Sequence, residues 1–320
     1  MDLFKVLDSK AKAKKKTIIL PESGDKRVIE AQEAILKKGI AKLILIQTGK
    51  KLKVREHKDL DIIDIGFSKQ FAAEYKKLIS RKKDITIDEA EKALSDPLLF
   101  ACMLLKNKYA DAIVAGSVYS TANVLRSAIQ TIGLAKGNKT VSSFFLFSFP
   151  KGTEHYGKVF AYGDCGVLPE PNAHQLSEIA IQTSRNFKKL TGISPKTAFL
   201  SFSTKGSAES KKLHKVLEAI NLTRQHEPRL KCDGELQFDT AFLPEVAKRK
   251  DPKGALKGKA NVFIFPDLNS GNIAYKITER IGGAIATGPI VQGLAQPVMD
   301  LSRGCSASDI INMVTIASLI

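Results

Sequence analysis

"ADAIVAGSVYSTANVLRSA" occupies residues 110–128. An apolar run rich in small and β-branched residues ends at Ala115. Gly116 turns the chain, small and hydroxyl residues follow, and a helical pattern begins near Thr121. Strand, glycine turn and helix in that order form the repeating unit of a parallel α/β sheet. Similar units recur along the chain. "TIIL" (17–20) precedes "KRVIEAQEAILKKG" (26–39), whose apolar residues fall at helical spacing and whose Gly39 reads as a stop. Further strands are predicted around 43–47, at "SSFFLFSF" (142–149), "KVFAYGD" (158–164), "KTAFLSFS" (196–203) and "ANVFIFP" (260–266). Helices are predicted at "TIDEAEKALSDPLLFACMLLK" (86–106), "NAHQLSEIAIQTSRNFKKLTG" (172–192), "SAESKKLHKVLEAI" (207–220), "NIAYKITERIGG" (272–283) and from Ser306 to the C-terminus.

A chain of 320 residues with 43 % hydrophobic content is long enough for two domains. Turn-rich breaks near 149–157 and 285–293 predict a discontinuous α/β domain of residues 1–148 plus 291–320 and an inserted α/β domain of 149–290. The C-terminal helix then returns to the first domain and a cleft separates the two. Ligands in such sheets bind at the carboxyl ends of strands, often between domains.

No run of eighteen apolar residues is present, and the N-terminal lysines follow, rather than precede, a short apolar patch. Neither a membrane span nor a secretory signal is expected, and the reading is a soluble cytoplasmic protein. Cys102, Cys165, Cys232 and Cys305 lie far apart without a CxxC, and the five histidines lack metal-ligand spacing. No metal and no disulfide is expected. The net charge of +17 suits nucleic acid, anionic substrates or a lysine-rich surface. Its densest runs, 10–16 and 248–259, are not interleaved with aromatics and accompany no nucleic-acid motif, so a solvated surface with a general pull on anions is the preferred reading.

"PVMDLSRGCSASDI" (297–310) supports two readings. In the first, Ser306 caps a helix, Asp309 sits at its third position and Gly304 permits the turn. In the second, the same helix N-terminus and Arg303 hold an anion, Ser302 donates to developing charge, and Asp309 accepts a proton from a bound nucleophile. Ser117, Ser120 and Thr121 can line an anion site, with Arg126 a turn into the following helix. Arg81, in "LISRKKDIT", and Arg126 each also read as solvated surface charges. Cys165, in "YGDCGVLPEPN", reads as a nucleophile without an assignable histidine partner or as a small apolar filler.

Taken in order, "ADAIVAGSVYSTANVLRSA", "LSFSTKGSA", "DGELQFDTAFLPEVA", "FPDLNSGNIAYK" and "GPIVQGLAQPVMDLSRGCS" resemble the phosphate acetyltransferases of the phosphate acetyl/butyryltransferase family. The resemblance covers the chain after its lysine-rich start. It implies a two-domain, three-layer α/β fold of the isocitrate/isopropylmalate dehydrogenase type, a homodimer, and reversible acetyl transfer between coenzyme A and phosphate. By motif match it implies that Asp309 is the base for the CoA thiol and that Ser302 stabilises the transition state. Arg303, Arg126 and Arg81 would bind phosphate or CoA, Arg81 by the weakest local match, and Ser120, Thr121 and Gly304 would line the substrate site. Cys305 matches a cysteine near the site that is not the nucleophile. CoA, acetyl-CoA, acetyl phosphate and inorganic phosphate are then substrates, with no permanently bound cofactor. The alternatives are a phosphate butyryltransferase and, from another class, a nucleic-acid-binding protein on this scaffold. An oxidoreductase of the same fold is weakened by the missing GxGxxG fingerprint.

Overall fold

A computed structural model describes residues 3–49, 51–80 and 83–320. The first elements are α1 (Leu3–Lys14), β1 (Thr17–Leu20), α2 (Lys26–Lys38), β2 (Lys42–Gln47) and β3 (Leu60–Asp64). After a 3₁₀ segment at Ile65–Phe71 come α3 (Ala72–Ile79), α4 (Ile87–Leu94), α5 (Pro97–Lys106), β4 (Ala112–Ala115) and α6 (Thr121–Thr131). The middle of the chain forms β5 (Ser142–Ser148), β6 (Val159–Gly163), α7 (Ala173–Thr191), β7 (Thr197–Leu200), α8 (Lys211–His226) and β8 (Cys232–Leu236). It continues through α9 (Phe238–Phe242), α10 (Pro244–Lys250), β9 (Val262–Ile264), α11 (Leu268–Arg280) and β10 (Ile285–Gln292), and the chain ends with β11 (Val298–Asp300) and α12 (Ala307–Ala317).

Two compact units result, one of Phe4–Lys136 with Leu294–Ile320, the other containing Gly137–Gly293. The sequence reading put these crossings at 148/149 and 290/291. The difference arises because β5 pairs antiparallel with both β6 and β10, so it belongs to the middle sheet and not to the first.

In the terminal unit the strand order is β11-β4-β1-β2-β3, and every pair is parallel. Helices α2 and α12 pack together on one face, α5 and α6 together on the other. A parallel sheet covered on both faces demands strands without a polar side, which is why β1 and β4 read as continuous apolar runs. Helix α5 is apolar all round, with Leu98 through Leu105 buried. Residues 86–106, expected as one helix, are two. Asp96 caps α5 and Pro97 is its first residue, so the chain leaves the helical region just before the proline.

The middle unit carries a six-stranded mixed sheet, β10-β5-β6-β9-β7-β8. Phe145, Phe147, Tyr162, Phe263 and Phe265 fill one side of it, and α7 lies along β5, β6 and β9. Among the described residues no helix is long and apolar enough to cross a membrane. Strands β3, β8, β10 and β11 had no prediction. Leu60–Asp64 and Ile285–Gln292 are partly exposed and lack a continuous apolar run, Val298–Asp300 is three residues long, and Cys232–Leu236 holds two buried acids and a glycine.

Gly116 ends β4 with φ +109°, and a Cβ there would lie 2.5 Å from Asp300 Oδ1 and 2.6 Å from the Leu301 backbone. Gly116→Ala is therefore expected to cost about 3 kcal/mol or more, from strain and overpacking together, read as a lower urea midpoint with an unchanged slope.

Candidate active site

Because β11, β4 and β1 are adjacent and parallel, their carboxyl ends open on the same edge of the sheet. The register pairs Asp300 with Ala115, so the segment after β11 lies beside the segment after β4. Each of the three strands leads to a helix whose first turn starts there: α2 capped by Asp25, α6 by Ser120 and α12 by Ser306. Sequence separation of nearly 300 residues is thereby reduced to neighbouring loops, at the edge where α/β sheets bind ligands.

The capping reading of 297–310 is realised, and the side chains that the second reading names lie in the same segment. Ser306 Oγ accepts from the Asp309 backbone N–H at 3.2 Å, and Asp309 Oδ2 accepts from the Ser306 N–H and hydroxyl, both at 2.8 Å. This is a capping box, completed by aspartate. It uses one carboxylate oxygen of an exposed side chain, and Oδ1 makes no hydrogen bond among the described residues. Ser302 Oγ accepts from the Gly304 N–H at 3.2 Å, which leaves its hydroxyl proton to donate. The Arg303 guanidinium, also exposed, makes no ion pair or hydrogen bond among the described residues. The capping box thus fixes Asp309 in the first turn of α12, and the serine donor and the unengaged arginine lie in the segment just before its cap.

The β4–α6 loop differs from its expected role. Glu22, from the segment after β1, is buried and accepts from the N–H groups of Gly116, Ser117, Val118 and Tyr119 at 2.7–2.9 Å, and from the Ser117 hydroxyl at 2.7 Å. Successive N–H groups converging on one point make an anion nest. Here the protein's own carboxylate occupies it, so Ser117 is committed to Glu22 and not to a substrate. Ser120 Oγ accepts from Asn123 N–H at 3.3 Å as the α6 cap, and Thr121 donates to Asp300 Oδ2 at 2.6 Å. The other Asp300 oxygen is buried and has no hydrogen-bond partner among the described residues. Burial, with Glu22 nearby, pushes this carboxyl up to about 6.

Arg126 sits farther along α6, bonded to Asn123 Oδ1 at 3.2 Å. It lines a cavity of about 140 Å³ with Asp96, Tyr119, Ser127 and Gln130, apart from the hydrogen-bonded network of 302–309. Arg81 lies outside the described residues. Cys305 is buried with its thiol pushed up, chiefly by burial, which makes it a poor nucleophile. Cys165 is buried among aromatic side chains and its thiol is raised far higher by burial, so it packs as a filler. Among the described residues no group of three or more His, Cys, Asp or Glu is placed to hold a metal.

The sequence reading missed Glu22, Arg27 and Asp300. Arg27 donates from Nη1 to Arg303 O at 2.7 Å and Cys305 O at 3.0 Å, and from Nη2 to Ser117 O at 2.8 Å. Its Nε and Nη2 also bind Asp25 at 3.0 and 2.6 Å, holding that carboxylate below its usual range. "PESGDKR" (21–27) follows a strand and opens a helix, the same position as the two loops that were recognised, and that was the available signal.

The family model for "Phosphate acetyl/butaryl transferase" matches residues 2–318. The phosphate acetyltransferase of Acetivibrio thermocellus is 45 % identical, with 100 % of this chain and 98 % of that one covered. The phosphotransacetylase structure from Streptococcus pyogenes superimposes with a TM-score of 0.91 at 38 % identity, covering 99 % of this chain and 97 % of that one. The 4-hydroxythreonine-4-phosphate dehydrogenase of Klebsiella pneumoniae, 10 % identical with a TM-score of 0.51 over 95 % of this chain and 98 % of that one, shares the fold alone.

Asp300 supplies a pH test. A carboxyl raised to about 6 stays protonated in the folded chain while the unfolded chain ionises, so stability falls as pH climbs from about 4 to about 6 and is level above. The drop from this group is about 2–3 kcal/mol. Asp300→Asn is expected to remove that part of the pH dependence in urea unfolding, and an unaltered profile would show that the group does not titrate there.

Proposed function

The chain belongs to the phosphate acetyl/butyryl transferase family, and we propose that the segments after β11, β4 and β1 are where it carries out phosphate acetyl transfer: acetyl-CoA + phosphate = acetyl phosphate + CoA. The observation that carries the assignment is the 302–309 segment, which holds a hydroxyl donor, an unengaged guanidinium and, at the third position of the helix that follows, a carboxylate with a spare oxygen.

In the CoA-acylating direction Asp309 takes the proton of the CoA thiol. A thiol with an ordinary value of about 8.5 is mostly protonated at neutral pH, so Asp309 acts as a general base that accepts the proton as the sulfur attacks. The sulfur forms a bond to the acetyl carbonyl carbon, and the carbonyl electron pair moves to oxygen. Ser302 donates to that oxyanion. The pair returns, the bond to the phosphate oxygen breaks, and phosphate departs as an anion held by Arg303. The reverse direction uses the same groups with phosphate as nucleophile. No acyl-enzyme is formed, consistent with the raised thiol of Cys305. Arg126, Arg81, Ser120, Thr121 and Gly304 complete the proposed substrate-binding set, with the two arginines on phosphate or CoA. The strong positive charge of the chain draws both polyanionic substrates in. A longer acyl substrate is not favoured, since whole-chain relatives at 39–45 % identity are named for acetyl transfer.

A homodimer and a cytoplasmic location complete this reading. Ile273, Ile277 and Ile281 recur at helical spacing along α11 and are 58 %, 52 % and 82 % exposed, an apolar stripe that a second copy would cover. Four free, buried cysteines suit a reducing compartment.

Two substitutions test the assignment by following thioester formation from CoA and acetyl phosphate. Asp309→Asn keeps an acceptor for the Ser306 N–H and is expected to lower kcat about 10²–10⁴-fold with little change in unfolding midpoint. Arg303→Gln is expected to raise KM for acetyl phosphate at least about tenfold while KM for CoA moves less. Full activity in Asp309→Asn would reduce that residue to a helix cap. For the assembly, sedimentation velocity of Ile277→Asp is expected to show monomer where the parent chain shows dimer.

A further inference from the structure

We infer that Arg27 is a positioning residue for acetyl transfer: one guanidinium clamps the turn bearing Ser302 and Arg303 onto the β4–α6 loop. The inference rests on the proposed function for its activity readout, and on geometry alone for its structural one.

Arg27 binds three backbone carbonyls from two loops that the sequence places about 186 residues apart, Ser117 O on one side and Arg303 O and Cys305 O on the other. Inside the 302–305 turn the bonds are local: Gly304 N–H to Ser302 Oγ and Cys305 N–H to Ser302 O at 2.9 Å. They fix the turn's shape but not its position. Position comes from Leu301 N–H on Ala115 O at 2.7 Å at one end of the turn and from Arg27 at the other. Arg27 is itself immobilised, because Asp25 takes two of its nitrogens in a fork and also caps α2. The β4–α6 loop on the far side is held just as firmly through Glu22.

The clamp has an electrostatic side as well. Three carbonyl oxygens gathered beside a proposed phosphate site would repel the anion. Donation from the guanidinium satisfies them, and its pairing with Asp25 keeps the clamp itself close to neutral. A lysine cannot substitute, since a single ammonium does not reach two loops and a carboxylate in one plane. Displacing reacting groups by about 1 Å is enough to lose about a hundredfold in rate. The cost of removing Arg27 should therefore appear in kcat more than in substrate affinity.

The test uses Arg27→Ala and Arg27→Lys in the full chain. We expect Arg27→Ala to lose about 100-fold in kcat with KM for CoA within about threefold, Arg27→Lys to lose nearly as much, and millimolar guanidinium to restore Arg27→Ala at least about tenfold. Rescue by the free cation separates positioning from a general loss of structure. In parallel, hydrogen exchange at the amides of Gly304 and Cys305 should accelerate at least about tenfold in both variants, while the amides of β4 keep their protection. If Arg27→Ala does not fold, Arg27→Lys reads the same two quantities. A folded variant with kcat within about threefold of the parent and unchanged exchange at 304–305 overturns the inference. A parent chain that makes no thioester while its variants still show faster exchange overturns the proposed function and leaves the clamp standing.

Discussion

Parallel pairing of Val298, Met299 and Asp300 with Ile113, Val114 and Ala115 is the constraint on which the site depends. It involves only three residues of the last strand, yet it sets where the 301–306 segment and helix α12 lie. The pairing is tight because Gly116 has no side chain: Asp300 and Leu301 occupy the volume that any Cβ there would fill. Apolar burial supports it from both faces. Val298 and Met299 are fully buried, and α12 packs on α2, β4 and β11 through Ile310, Met313 and Val314. Each such side chain contributes about 1.5–3 kcal/mol through removal from water, so a three-residue strand can be held firmly by what covers it.

Charge inside this edge of the sheet is arranged so that the protein answers its own polar groups first. Glu22 fills the nest of N–H groups in the β4–α6 loop, Arg27 takes the carbonyls, and Asp300 receives Thr121. Apart from the buried Asp300 Oδ1, what remains unengaged is in the exposed set on the 302–309 segment. A loop with its internal groups satisfied is stiff, and stiffness is what a donor needs in order to stabilise developing charge without reorganising. The arrangement also explains why a strongly basic chain need not bind anions at every helix N-terminus. At α6 the anion is already there, and it is covalently part of the chain.

Much of this was legible in the sequence where the signal was local. Gly39 ends α2 in the left-handed conformation, with φ +67°, as its position after two lysines and an apolar pattern implied. Ser306 and Asp309 announced a helix start by spacing alone, and the 297–310 motif carried its resemblance unaided. Local patterns failed where two elements or two sheets competed. Residues 86–106 keep one apolar rhythm through a break that only Asp96 and Pro97 mark. Residues 142–148 read as a strand, but nothing local says which sheet receives it.

By itself the sequence determined the α/β alternation, the glycine turns and the helix caps, and its resemblance pointed to Ser302, Arg303 and Asp309 as the residues proposed for the chemistry. Each of these depends on neighbours within about five positions, over which backbone sterics and capping act. Only the tertiary structure decided that Glu22, Arg27 and Asp300 serve the same edge as those residues. A buried carboxylate or a guanidinium chooses partners by distance in space, and the distance is set by which strands lie side by side. The order β11-β4-β1 sets that distance, and it rests on contacts between residues more than 90 positions apart.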